Sequence, residues 1–140
     1  MATKVDIARQ FMEALPHSKE LSMRLTDMGN GEAKIEMPYD KKLVGDPETG
    51  VIHGGAVSAL MDTCCGAAVM SHPDNPGGTA TIDLRIDYFR AAKPGQMIRA
   101  HATCYHVTRS VAFVRATATD EDSENPVASA TGAFTIEGLK

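Results

Sequence analysis

Apolar residues recur at helical spacing near the start of the chain. They run from Val5 to Leu15, and Thr3 and Asp6 at the start of this segment resemble a helix-capping pair. Because proline cannot continue a helix, Pro16 marks the end of this segment. The pattern predicts a small amphipathic helix over about residues 4–15 that lies on the surface of the domain.

The next two segments alternate between apolar and polar residues, which is typical of strands with one buried face. They cover residues 21–26 and 33–37, and the sequence Gly29-Asn30-Gly31 between them favours a tight turn. We therefore predict a β-hairpin, followed by a polar loop over residues 39–49.

The stretch that begins at Gly54 and Gly55 is almost wholly apolar or small, without the alternation of a strand. It predicts a helix over about residues 54–71, too short and too interrupted to cross a membrane. Because no side of this helix is polar, we expect other elements to surround it. Asp62 lies in its middle, and a buried charge costs several kcal/mol unless it is paired or used.

Four strand-like segments follow a loop at residues 73–78. In the first, residues 79–88, alternation gives one apolar face and an opposite polar face that carries Thr81. The others cover residues 97–107, 111–119 and 127–136. Short connections between them predict an antiparallel meander. A hairpin, a long helix and a meander together predict an α+β domain whose antiparallel sheet wraps around the helix.

Length and charge limit the classes of function. The 140 residues predict one domain over residues 1–140. The formal net charge of −4 implies no basic surface, so nucleic acid is not an expected partner. Three cysteines, two of them adjacent, form no disulfide framework and suit a reducing cytoplasm. The first residues lack a long apolar run, so we expect neither a signal peptide nor a membrane partner.

Two blocks of sequence resemble one enzyme family. Residues 50–55 read Gly-Val-Ile-His-Gly-Gly and are followed by Asp62 and Gly66, and a second block covers residues 79–95. Over roughly residues 45–136 the chain is similar to hotdog-fold acyl-CoA thioesterases of the phenylacetic-acid-degradation (PaaI-like) type. The resemblance implies the hotdog fold and hydrolysis of an acyl-CoA thioester without a cofactor. It also implies active sites shared within a homodimer or a dimer of dimers.

The resemblance also assigns roles to residues. The backbone N–H of Gly54 would polarise the thioester carbonyl, Asp62 would act as general base or nucleophile, and Thr81 would hold the attacking water. His53 could be a base, although a histidine at such a junction more often orients a loop. Many members of the family carry an asparagine six residues before this histidine. Here Pro47 stands there and offers neither a side-chain donor nor an N–H.

Further residues are candidates for contact with the substrate. Gly55 belongs to the glycine pair at the helix start, where backbone N–H groups can approach a ligand. Met61 belongs either to the core or to an acyl pocket, and the sequence leaves both open. Arg90, Lys93 and Arg109 are either solvated surface residues or contacts for the phosphates of coenzyme A.

The cysteines and histidines suggest other chemistry only weakly. No histidine lies at a helical spacing that would activate Cys64 or Cys65, so both fit a packed core better than a nucleophile. His101, Cys104 and His106 alternate along one strand without a second cluster, so we expect no metal site.

The spacing of the site residues predicts an assembly. Gly54 and Asp62 are eight residues apart, which is about 12 Å along one helix axis. An oxyanion donor and an attacking group must each lie within about 3 Å of their target, so one helix cannot supply both. Two subunits related by a twofold axis can.

Two functions follow for the chain. Our leading hypothesis is a thioesterase for an aromatic or medium-chain acyl-CoA. The alternative is a non-catalytic acyl-CoA or acyl-carrier binding protein of the same fold.

Overall fold

The computed structural model describes residues 3–75 and 77–137, so Pro76 of the predicted loop 73–78 and both ends of the predicted domain lie outside the described residues. The helices are α1 (Lys4–Ala14), α2 (Pro16–Glu20) and α3 (Gly54–Ser71). The strands are β1 (Arg24–Gly29), β2 (Glu32–Met37), β3 (Val44–Asp46), β4 (Val51–Ile52), β5 (Thr81–Tyr88), β6 (Ile98–Val107), β7 (Val111–Thr119) and β8 (Ala128–Thr135). An antiparallel sheet packs against the long helix α3, which confirms the α+β hotdog fold.

The amphipathic helix α1 is fixed at its start and along its length. The Thr3 hydroxyl accepts a hydrogen bond from the N–H of Asp6, and the Asp6 carboxylate accepts one from the N–H of Thr3. Further along, Arg9 Nε donates a 2.8 Å hydrogen bond to the carbonyl of Leu25 on β1. Pro16 follows α1 and also begins α2, because proline suits the first position of a helix.

The main sheet has the order β1-β2-β6-β7-β8-β5, and every neighbouring pair is antiparallel. Strands β6, β7 and β8 form a meander as predicted, but β5 pairs with β8 and not with β6, so the predicted meander of all four segments is wrong. The predicted hairpin is present, and its turn places Asn30 and Gly31 at φ values of 52° and 83°. Both central residues of a type I′ turn need positive φ, which explains this Asn-Gly pair. The first strand begins at Arg24, later than predicted, because Leu21 and Ser22 form a turn after α2.

The segment predicted as a polar loop contains local structure. Asp40 caps a 3₁₀ helix at Lys41–Leu43, and β3 then pairs with β4. Within the turn between these strands, the Asp46 carboxylate accepts hydrogen bonds from the Glu48 N–H and the Thr49 hydroxyl. This small unit leads directly into α3.

One face of α3 is buried and the other is partly open. The buried face rests on the sheet and includes Leu60, Met61, Cys64, Cys65 and Val69. The opposite face consists of small or polar residues that keep some solvent exposure, namely Ser58, Ala59, Asp62, Thr63, Gly66 and Ala67. The sheet therefore covers one side of this helix in a single chain, and the opposite side keeps partial exposure.

The edge strand β5 contains a bulge that changes which way Thr81 points. Thr81 lies opposite Phe134 on β8 and Asp83 lies opposite Ala133, so Ile82 is an extra residue in the ladder. A bulge interrupts the alternation of side chains along a strand. As a result Thr81 faces α3, as do the apolar residues further along β5. The prediction that Thr81 lies on the face opposite these residues is wrong.

Candidate active site

Asp62 and Thr81 meet in the structure. The Thr81 hydroxyl donates a 2.7 Å hydrogen bond to Asp62 Oδ1. Within the described residues, Asp62 Oδ2 receives no hydrogen bond, and the side chain is half-buried. One carboxylate oxygen is thus held in place by Thr81, while the other can accept a proton from water or attack a carbonyl carbon.

His53 caps the start of α3. Its Nδ1 accepts a 2.8 Å hydrogen bond from the N–H of Gly55, and its own backbone N–H donates to the carbonyl of Leu43. The Gly55 N–H is therefore occupied. Among the described residues, the N–H of Gly54 has no hydrogen-bond acceptor, and Gly54 is exposed at the positive end of the helix dipole. The Nδ1 of His53 is thus engaged in the cap, and the N–H of Gly54 is free to donate to a ligand.

Tyr88 is a residue at the site that the sequence analysis did not single out. Its hydroxyl donates a 3.0 Å hydrogen bond to the carbonyl of Gly54 and lies 3.2 Å from Ser58 Oγ. The signal in the sequence is slight, since Tyr88 ends the apolar face of β5 and its partner lies 34 residues earlier. The hydroxyl connects the end of β5 to the first residue of α3.

An apolar cavity of about 590 Å³ opens beside the Asp62–Thr81 pair. Both residues line it, together with Gly66, Met70 and Phe134 among others. Met61, which the sequence left between core and acyl pocket, is fully buried against the sheet and does not line the cavity. Its position one residue before Asp62 turns it towards the sheet. Met70, on the same helix, does line the cavity.

Arg90 is committed to a structural ion pair. Its guanidinium makes two 2.7 Å hydrogen bonds to the Asp120 carboxylate and also donates to the carbonyls of Ala91 and Asn125, which uses all five N–H donors. These bonds hold the pKa of the buried Asp120 carboxyl well below its usual range. Arg90 therefore has no free donor for a phosphate group.

The other predicted contacts do not gather in one place. Lys93 is exposed, and its backbone N–H donates to Asp120. Arg109 lies in the exposed turn between β6 and β7, next to the end of β8 that pairs with Thr81, whereas Lys93 follows the other end of β5. Pro47 is exposed in the turn between β3 and β4.

The cysteines belong to the core. Cys64, Cys65 and Cys104 are free thiols and all three are buried. Burial raises the pKa of Cys64 to about 12, and it raises the pKa of Cys65 and Cys104 as well. Because the thiolate is the reactive form, none of these groups is suited to nucleophilic attack.

Metal and membrane features can be assessed only over residues 3–75 and 77–137. There, no group of three or more histidine, cysteine or acidic side chains could hold a metal ion. His101 instead lies 3.0 Å from a carboxylate oxygen of Glu32. No helix in the same ranges is long and apolar enough to cross a membrane.

Residues 49–127, more than half of the chain, match the family described as Thioesterase superfamily. The chain belongs to the thioesterase superfamily. It is 33% identical over 124 residues to a Halobacterium salinarum protein named "Putative esterase", a match that covers 83% of this chain and 81% of that relative. These relationships support thioester hydrolysis as the class of reaction.

Similar solved structures indicate which type of thioesterase this chain resembles. A Pseudomonas aeruginosa protein superposes with a TM-score of 0.82 at 37% identity, covering 94% of this chain and 97% of that one. The phenylacetic acid degradation protein PaaI of Thermus thermophilus, solved as a mutant, gives a TM-score of 0.77 at 25% identity, covering 87% and 99%. The resemblance to PaaI-like hotdog thioesterases is thereby confirmed.

Proposed function

We propose that the protein hydrolyses the thioester bond of an acyl-CoA whose acyl group is apolar, either aromatic or of medium length. The observation that carries this proposal is the 2.7 Å hydrogen bond between Thr81 and Asp62 at the wall of an apolar cavity. A carboxylate with one free oxygen supplies the chemistry, and the cavity supplies a place for the acyl group.

The reaction can take either of two courses from this geometry. As a general base, Asp62 Oδ2 removes a proton from water while the water oxygen bonds to the thioester carbon. As a nucleophile, the same oxygen bonds to that carbon, and water hydrolyses the resulting anhydride after coenzyme A has left. In both courses the carbonyl oxygen becomes negative and is stabilised by the Gly54 N–H. The C–S bond then breaks, and coenzyme A leaves as a thiolate that takes up a proton.

The active site in this proposal is formed by two subunits. Gly54 and Asp62 lie on one helix, about 12 Å apart along its axis, so each site pairs Gly54 of one protomer with Asp62 of the other. The exposed start of α3 at Gly54 and the edge strand β5 support such pairing. Ile82 on that edge is 56% exposed, and an exposed apolar edge favours association with another chain.

Contact with the nucleotide part of coenzyme A is assigned to Lys93. It is exposed on the segment that follows Tyr88, the residue that touches Gly54. A lysine ammonium there can approach the phosphates as a point charge. Arg90 is left out of this proposal because Asp120 and backbone carbonyls occupy its donors.

The test is release of free thiol from a panel of aromatic and straight-chain acyl-CoAs. The wild type should release coenzyme A, and Asp62→Asn should lose most turnover. An amide of the same shape can still accept the hydrogen bond from Thr81, but it cannot act as base or nucleophile. An Asp62→Asn protein within a few-fold of the wild-type kcat would contradict the assignment. If none of these acyl-CoAs is hydrolysed but acyl-CoA still binds, the result would favour the non-catalytic binding protein.

A further inference from the structure

The wall of the apolar cavity opposite α3 is formed by the N-terminal helix α1. Ile7 and Phe11 both line the cavity and are 58% and 61% exposed. They are four residues apart and so lie on the same side of α1, and the neighbouring Met12, which is buried in the core, lines the same cavity. Large apolar side chains clustered on one exposed face mark a binding surface.

The position of α1 over the cavity is fixed by hydrogen bonds. The capping box at Thr3 and Asp6 closes the first turn, and the Arg9 guanidinium donates to the carbonyl of Leu25. The exposed side chains are thus presented by an anchored helix.

The floor of the cavity is a groove along α3. Asp62, Gly66 and Met70 occupy successive turns of one face, and all three line the cavity. A Cβ added at Gly66 would meet only the Phe134 ring, at 3.9 Å, so the space above this glycine is open. The groove extends about 12 Å from Asp62 to Met70.

We propose that this groove, roofed by α1, binds the extended aliphatic chain of the acyl-CoA. The proposal rests on the function given above and selects the medium-chain over the aromatic substrate. An extended chain with C–C bonds near 1.5 Å advances about 1.25 Å per carbon, so about ten carbons fill the distance from Asp62 to Met70. A compact aromatic acyl group attached at the same carbonyl would fill roughly half of it.

The first experiment measures kcat/KM for saturated acyl-CoAs of four to sixteen carbons. The value should rise up to about ten carbons, because each added methylene buries more apolar surface, and should level off or fall beyond that length. A profile that is flat, or that peaks with a phenyl-substituted acyl group, would overturn the proposal.

The second experiment narrows the groove. Gly66→Leu places a branched side chain one turn beyond Asp62, and the ratio of kcat/KM for ten carbons to that for four should fall at least tenfold. Gly66→Ala adds only the methyl group that the structure accommodates and should change the ratio much less. Equal losses for both substrates in a folded Gly66→Leu protein would contradict the groove.

The third experiment shortens a side chain of α1, and it does not require α3 to tolerate a substitution. Phe11→Ala should lower the same ratio at least threefold, whereas Gln10→Ala, an exposed neighbour outside the cavity wall, should leave it unchanged. Molecular mass by light scattering is measured on both variants. If Phe11→Ala changes the mass and leaves the chain-length profile intact, this face is a contact between subunits and the proposal fails.

Binding of S-alkyl coenzyme A thioethers, which cannot be hydrolysed, separates this inference from the proposed function. Calorimetry should show tighter binding of the ten-carbon than of the four-carbon thioether, with the difference reduced in Phe11→Ala. That result together with no hydrolysis of any thioester would support the groove and contradict the enzyme. Hydrolysis that does not depend on chain length would support the thioesterase function and contradict the groove.

Discussion

The Tyr88 hydroxyl donates a 3.0 Å hydrogen bond to the carbonyl of Gly54, the first residue of α3. This hydrogen bond joins the first residue of α3 to the end of the edge strand β5. The same glycine carries the N–H proposed to stabilise the oxyanion. We therefore expect Tyr88 to act as a positioning residue for Gly54.

Removal of the Tyr88 hydroxyl should slow turnover. In Tyr88→Phe we expect kcat to fall by roughly fivefold to tenfold, the size of one net hydrogen bond, with a smaller change in KM. Tyr105→Phe is the matched control, because Tyr105 is a half-exposed tyrosine on β6 that lies under Arg115. Steady-state kinetics on both variants check the prediction. Equal kcat values for the two would show that the contact with Gly54 has no role in turnover.

Gly54→Pro tests the oxyanion donor directly. Proline lacks the N–H and suits the first position of a helix. A proline also restricts the backbone of the residue before it, and His53 already adopts an allowed conformation, with φ of −58° and ψ of 135°. We expect kcat to fall about 100-fold or more, the usual effect of losing one oxyanion-hole donor. Gly54→Ala keeps the N–H, and its Cβ would lie 3.7 Å from the Tyr88 ring, so it should retain most activity.

Circular dichroism establishes that α3 survives in both variants. A folded Gly54→Pro protein with near wild-type kcat would assign the oxyanion to another donor.

The hydroxyl of Thr81 should matter for rate more than for stability. Thr81→Val keeps the shape of the side chain but leaves Asp62 without its partner, and kcat should fall roughly tenfold, as for a hydrogen bond to a charged group. Thr81→Ser should restore much of the loss, because it returns the hydroxyl. Kinetics and thermal melts of the two variants check this. The role of Thr81 is refuted if Ser and Val behave alike.

Mixed dimers test whether the site is shared. Asp62→Asn and Gly54→Pro are each inactive in our proposal, but a dimer with one chain of each has one site with both defects and one site with neither. Random mixing should then return about a quarter of the wild-type activity. Subunit exchange is verified with distinguishable tags. If exchange occurs and no activity returns, both groups act within one chain.

Acid should destabilise the protein through Asp120. Arg90 lowers the pKa of this carboxyl in the folded state, so the unfolded chain binds its proton more readily. The stabilising contribution is complete above the unfolded pKa of about 4 and is lost as the pH falls towards the folded value. Asp120→Asn should lower the free energy of unfolding by about 3 kcal/mol or more at neutral pH.

Denaturant titrations at several pH values check this prediction. The variant should depend less on pH in the acid range than the wild type. Asp74→Asn, a substitution of an exposed aspartate, should behave like the wild type. An Asp120→Asn protein with the acid dependence of the wild type would mean that other carboxylates dominate.

Local sequence was sufficient for the central helix. His53 and the glycine pair mark its start, and the predicted range of about 54–71 compares with Gly54–Ser71 in the structure. What the sequence could not show is which side of the helix the sheet leaves open, because that depends on how far a sheet of distant strands extends.

The orientation of Thr81 shows a second limit. Strict alternation assigns Thr81 to the polar face of β5, and the bulge at Ile82 reverses that assignment. The bulge arises from pairing with Phe134 and Ala133 on β8, about fifty residues away in the sequence. The contact between Tyr88 and Gly54 also joins residues far apart in the sequence, so no local motif predicts it.

The buried thiols have a practical consequence for enzymology. A thiol reagent that detects released coenzyme A also reacts with any accessible cysteine thiolate of the protein itself. Here Cys64, Cys65 and Cys104 are buried, and burial raises the pKa of each thiol. The folded protein should therefore give no colour of its own in the assay. Colour that develops without substrate would indicate unfolding. One reagent can thus follow turnover and the integrity of the core in the same cuvette.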